Sequence, residues 1–163
     1  MRLLLFTTLL LLAQFANAQT FTKTQVVDGI PWSIAFDFAD DGRIFSTKKG
    51  AWAPQAVCAE IRVHDVTGND LGVFYNLSDS VHASGEYGLL GITLDPNFSQ
   101  NHFLYCFYTY STDPANGGDI HFRVQRFTES NNVGTQPIIL LDLDVQDTLT
   151  RIHVGRNIHF RPS

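Results

Sequence analysis

Gly88-Leu89-Leu90-Gly91-Ile92-Thr93-Leu94-Asp95-Pro96-Asn97 is the stretch on which the fold turns. It joins a glycine-bracketed apolar run to a tight acidic turn. Glycines at 88 and 91 let backbone approach backbone where a Cβ would not fit, and the proline at 96 presets φ for the turn. The pattern suits a strand entering the crowded centre of a β-propeller, and a functional site is expected close by.

Outward from this stretch the chain reads as β throughout. Trp32–Phe38, Arg43–Thr47, Glu60–Val66, Leu71–Asn76, Leu89–Leu94, Phe103–Tyr110, His121–Thr128 and Ile138–Leu143 are short runs rich in branched and aromatic residues, and Val26-Val27 is a shorter one. Asp40-Asp41-Gly42, Thr67-Gly68-Asn69-Asp70, Asp113 to Gly118 and Asn131 to Gly134 punctuate them as turns. No segment after residue 18 keeps a helical period. Many short strands separated by Gly and Asp turns leave a sandwich, a barrel or a propeller.

An internal repeat decides among the three. Ile34-Ala35-Phe36-Asp37 precedes Asp41-Gly42-Arg43-Ile44-Phe45, and Ile92-Thr93-Leu94-Asp95 precedes Asn101-His102-Phe103-Leu104-Tyr105. A third copy begins at Ile158-His159-Phe160-Arg161-Pro162-Ser163. The spacing exceeds the roughly 40 to 50 residues of common propeller repeats, which enlarged loops would absorb. One such unit cannot bury both its faces and needs a neighbour on each side. The reading is an all-β propeller of which two to three blades are present, so the chain is expected to be the amino-terminal portion of a longer protein. Trp32, Phe36, Phe38, Phe45, Phe103, Tyr105 and Phe107 alternate with strand period and read as blade-packing residues.

The ends and the composition bound the compartment and the partners. Met1-Arg2, the apolar run Leu3–Leu12 and the small-x-small site Ala16-Asn17-Ala18 read as a signal peptide over residues 1–18. The propeller region is then 19–163, and the mature chain is expected to be secreted or periplasmic without a membrane span. The formal charge of −5 and the lack of a long basic stripe argue against nucleic acid as a partner. Cys58 and Cys106 permit one disulfide, although a free buried thiol at Cys106 within an aromatic strand is equally natural. Asp142, Asp144 and Asp147 lack the glycine and terminal glutamate of a calcium loop and read as edge acids.

Three stretches together resemble one family. They are Pro31-Trp32-Ser33-Ile34-Ala35-Phe36 with Asp41 to Phe45, then Gly85 to Phe98 with Asn101, then His153 to Pro162. From about Pro31 to Ser163 the chain resembles the soluble sugar dehydrogenases that use pyrroloquinoline quinone, the glucose/sorbosone dehydrogenase family, which also includes hedgehog-interacting-like proteins. The resemblance implies a six-bladed propeller with the quinone and a calcium ion near the axis, the calcium ligands lying beyond residue 163. It also implies a sugar or polyol substrate oxidised at its C1 hydroxyl, and a separate electron acceptor.

The same resemblance assigns site residues. His153 matches the histidine that takes the C1 hydroxyl proton, in a segment resembling His-Asn-Gly-Gly-Arg-Leu-x-Phe-Gly-Pro-Asp, from which Val154, Arg156, Asn157 and Arg161 depart. A histidine with a pKa near ~6.5 can serve as a general base, although a strand-edge histidine bonded to water or a carbonyl fits the residues equally. Glu86 stands where the family places a glutamine or glutamate near cofactor and sugar; otherwise it is an exposed loop acid. Arg156 belongs to an acid-free tail with Arg151, Arg161, His153 and His159, whose forks suit the carboxylates of the quinone or form a solvated face. A non-enzymatic extracellular propeller binding a carbohydrate or protein ligand is the competing reading.

Overall fold

The computed structural model describes residues 21–50, 58–145, 154–155 and 157–161. Its elements run β1 (Ser33–Phe38), β2 (Ile44–Lys49), β3 (Ala59–His64), β4 (Asp70–Asn76), β5 (Leu89–Leu94), a single helical turn α1 (Phe98–Asn101), β6 (Phe103–Asp113), β7 (Gly118–Ser130) and β8 (Val133–Asp144). These strands form two four-stranded antiparallel meanders, β1-β2-β3-β4 and β5-β6-β7-β8. The sheets face one another with first strand against first strand, β1 on β5, and last against last, β4 on β8. That like-on-like stacking of consecutive meanders is the blade arrangement of a propeller, here unclosed. The signal peptide expected over residues 1–18 lies outside the described residues.

Alternation along the strands explains which faces meet. On β6, Leu104, Cys106 and Tyr108 are buried toward the first sheet, where they join Phe45, Ile61, Val63 and Phe74. Phe74 holds the centre with its ring edge-to-face against Phe45 at 5.5 Å and against Phe127 at 6.0 Å. Phe103, Tyr105 and Phe107 point to the opposite face of the second sheet, where Phe160 meets Tyr105 at 5.2 Å. β5 is buried at every position, as expected of an inner strand. Phe36 and Phe38 of β1 remain exposed on the far side of the first sheet, as does Leu141 of β8 on that of the second.

Three local differences from the sequence reading have physical causes. Val26-Val27 forms no strand; it crosses the outer face of the first sheet, with the Val26 carbonyl pressed against Gly68. β8 begins at Val133 rather than Ile138, because Asn131 and Asn132 both take positive φ and close a tight hairpin. Pro137 is accommodated on that edge strand beside a register shift, with Gln136 at φ 48°. The third difference is α1, one turn ended by His102 in the left-handed conformation and too short to show a period. Cys58 and Cys106 are both free, and Cys106 is fully buried.

The two sheets are also tied by polar contacts. Asp37 on β1 accepts the Leu94 backbone N–H of β5 at 2.8 Å and the Thr93 hydroxyl at 3.2 Å. At one end of β2, Arg43 donates to Glu129 at 3.1 Å and to Asn132 at 2.7 Å. At the other end Lys49 reaches Gly85.

Candidate functional site in the loop between the sheets

The chain leaves the outer strand β4 and reaches the inner strand β5 through residues 77–88, which lie along β6 rather than in solvent. Val81 bridges Tyr110, the His82 N–H donates to the Thr109 carbonyl at 2.9 Å, and Ser111 N–H donates to the Ser80 carbonyl at 3.0 Å. Gly88 exchanges bonds with Thr109 twice: its N–H meets the Thr109 hydroxyl at 3.1 Å, and its carbonyl accepts the Thr109 N–H at 3.0 Å. His82 Nδ1 lies 2.7 Å from the Pro114 carbonyl. Burial follows the same division. Val81, His82, Ala83, Ser84, Tyr87 and Gly88 are buried, Gly85 is exposed and Glu86 is half-buried.

A carboxylate is therefore presented at the tip of a loop whose remainder is locked. The turn that carries it is short: Tyr87 N–H donates to the Ser84 carbonyl at 3.0 Å, and Gly85 sits at φ 59°, a conformation that favours glycine. Gly88, at φ 150°, shows the close approach expected from the sequence. A Cβ there would stand 2.6 Å from Lys49 Cγ and 2.7 Å from the Lys49 carbonyl oxygen. Ile34, Lys49, Gly85, Glu86 and Leu90 line a cleft of about 300 Å³ at the end where both inner strands begin. Its walls combine one ammonium and one carboxylate with two aliphatic side chains, a mixture suited to a polar organic ligand.

Of the site residues expected from sequence, Glu86 lies in this cleft, while His153 and Arg156 lie outside the described residues. The described neighbour Gly155 runs beside Phe107, where a Cβ would stand 3.7 Å from the ring, on the same strand β6 that anchors the loop. Arg161 and His159 of the basic tail are exposed. Asp142 behaves as an edge acid, paired with Arg123 at 2.8 Å and with His121 at 2.9 Å, and the Arg123 bond holds its carboxyl below the usual range. Asp95 follows suit. Burial by itself would raise it, but bonds from the Asn97 N–H, Asn101 and the Tyr105 hydroxyl outweigh burial and hold it low.

Lys49 was not singled out by sequence reasoning. Its link to Gly85 spans 36 residues, and nothing in Lys48-Lys49-Gly50 announces it. A second cleft of about 340 Å³, lined by Val26 to Ile30 together with Phe36, Phe38 and Ile44, lies on the outer face of the first sheet, a face that a neighbouring blade would cover.

Residues 29–163 match the family model described as glucose / sorbosone dehydrogenase. The chain belongs to the glucose/sorbosone dehydrogenase family. Among curated proteins, an uncharacterized protein of Synechocystis sp. is 30% identical over 110 residues, covering 62% of this chain and 24% of the relative. Among solved structures, an oxidoreductase described as a glucose dehydrogenase from Thermus thermophilus matches with a TM-score of 0.67 at 27% identity, over 85% of this chain and 37% of that one. The PQQ-bound aldose sugar dehydrogenase of Streptomyces coelicolor shares the fold at a TM-score of 0.55 and 20% identity, over 73% of this chain and 32% of that one. The chain thus spans about a quarter to two fifths of the length of these relatives.

Proposed function

We propose that the full-length protein is a quinone-dependent oxidoreductase that oxidises the C1 hydroxyl of a sugar or related polyol, and that the cleft at Glu86 forms part of its site. Membership of the glucose/sorbosone dehydrogenase family supports the chemistry. The observation that carries the location is the loop of residues 77–88, which buries nearly all of its end and leaves Gly85 and Glu86 facing a cleft beside the inner strands.

The cleft's donor set fits such a ligand pair. Ile34 and Leu90 offer aliphatic surface to a flat ring, and a carboxylate at Glu86 suits sugar hydroxyls, whose hydrogen bonds it can accept. Pyrroloquinoline quinone, when bound, supplies the hydride acceptor. The chain's own residues bind, orient and move the proton. Glu86 orients the sugar, His153 takes the proton of the C1 hydroxyl as general base, and the Arg156 fork pairs with a cofactor carboxylate. The calcium of this proposal rests on the family resemblance, which implies ligands beyond residue 163; among the described residues no group of three or more His, Cys, Asp or Glu is gathered to hold a metal. Among them also, no helix is long and apolar enough to cross a membrane, and export through the signal peptide of residues 1–18 is part of the proposal.

The test is turnover by the full-length protein reconstituted with pyrroloquinoline quinone and calcium, followed as aldose-dependent dye reduction. His153→Ala is expected to lower the rate by roughly a hundredfold or more, the usual contribution of a general base. An unchanged rate removes His153 from the mechanism. Sugar binding without dye reduction assigns the protein to the competing class, a carbohydrate-binding propeller.

A further inference from the structure

The turn that presents Glu86 is held from the other sheet. Lys49, the last residue of β2, extends its ammonium to the Gly85 carbonyl at 2.5 Å, immediately before Glu86 in sequence. Its aliphatic stem runs across Gly88, close enough that a Cβ there would stand 2.6 Å from Lys49 Cγ. Lys49 therefore touches both glycines that bracket Glu86 and Tyr87. Its own backbone is fixed, since the Lys49 N–H donates to the Trp32 carbonyl at 3.0 Å and the residue pairs with Ala59 in the ladder.

We infer that Lys49 is a positioning residue: from the neighbouring blade it fixes the Gly85–Gly88 turn and thereby sets where the Glu86 carboxylate stands in the cleft. A strand-end lysine is a suitable tether. Its charged donor makes a stronger bond to a carbonyl than a neutral one would, and its stem packs on surface that only glycine leaves open. Without that bond the exposed Gly85, already in a left-handed conformation, is a point where the turn can give. The consequence for binding rests on the proposed role of Glu86, whereas the holding of the turn does not.

Hydrogen exchange of the full-length protein without cofactor tests the holding directly, and sugar titration of the loaded protein tests its consequence. Lys49→Met keeps an unbranched stem and removes the donor; Lys49→Arg keeps a donor. In Lys49→Met the Tyr87 amide, whose bond to Ser84 closes the turn, is expected to exchange roughly tenfold faster or more, with the Leu104–Tyr108 amides of β6 unchanged. Lys49→Arg is expected to recover most of the protection. The KM for aldose is expected to rise several-fold in Lys49→Met with kcat within about twofold, and Lys49→Met combined with Glu86→Gln is expected to add little to Glu86→Gln alone. Unchanged Tyr87 exchange, or a Lys49→Arg variant no better than Lys49→Met, overturns the inference. Faster exchange with a silent Glu86→Gln upholds the tether and overturns the reading of Glu86 as a sugar contact.

Discussion

Glu129 ties the second sheet to the first through Arg43, and its removal gives a quantity that can be worked from the contacts. Its side chain is 6% exposed, and it accepts from Arg43 at 3.1 and 3.4 Å and from the Asn132 N–H at 2.8 Å, with His102 Nδ1 at 3.5 Å. Truncating one partner of a buried pair costs about 3–5 kcal/mol when the other is left without compensation. Arg43 keeps Asp41, Asn132 and 20% exposure, so Glu129→Ala belongs below that range, at about 2 kcal/mol. In urea, with a slope of about 2 kcal/mol per molar, the midpoint should fall by about 1 M at constant slope. The pH dependence carries a sign. Burial alone would raise the Glu129 carboxyl, but the bonds from Arg43 and Asn132 outweigh it and hold it below its ordinary 4.5. A carboxyl lowered by folding contributes stability above its unfolded pKa and loses it as pH falls through the folded value. The gap between wild type and Glu129→Ala should therefore be full at about pH 6 and shrink below about pH 4.5. A loss under about 0.5 kcal/mol, or a gap unchanged from about pH 6 to about pH 3, refutes the reasoning.

Two further outcomes follow from packing. A Cβ at Gly134 would stand 2.6 Å from Phe74 Cε1, and Phe74 is fixed between Phe45 and Phe127, so Gly134→Ala should destabilise by about 1–3 kcal/mol in urea titration; a change within about 0.5 kcal/mol would show that the ring has room to move. Cys106 is fully buried and burial pushes its thiol well above the usual range, so native-state alkylation should label the half-buried Cys58 and spare Cys106 until the protein is unfolded. Equal labelling of both in the native protein would contradict that placement.

The strands and their turns were legible because their signals are local. Period-two alternation marks Leu104, Cys106 and Tyr108 as one face, and Asp40-Asp41-Gly42 and Asn131-Asn132 mark reversals that the chain then makes. The radial arrangement was legible through the repeat, whose copies at residues 34 and 92 are the inner strands β1 and β5. The start of β8 was not, since Pro137 reads as a strand breaker unless the strand is known to be an edge. In the site, Glu86 was legible only through the family-like run that follows it. Lys49 and Arg43 were not legible at all, because each acts on a partner 36 or more residues away and carries no local signature.

Repeat-equivalent positions diverge in a way that bears on how the blades are ordered. Asp37 and Asp95 occupy the same place in successive copies, yet Asp37 reaches across to the Leu94 amide of the next sheet while Asp95 turns inward to the Tyr105 hydroxyl of its own. Leu94 is buried, so its amide needs that acceptor, and a buried unpaired N–H would cost about 1–3 kcal/mol. The first two blades are thus joined by Asp37 between the inner strands, by Arg43 and Glu129 at one end of β2, and by Lys49 at the other. Polar ties at three separated points, with an aromatic core between them, oppose both sliding and splaying of one sheet on the other. A loop spanning two sheets held in this way has a fixed base, and for that reason a single carboxylate at its tip can be placed with the accuracy that the proposed orienting of a substrate requires.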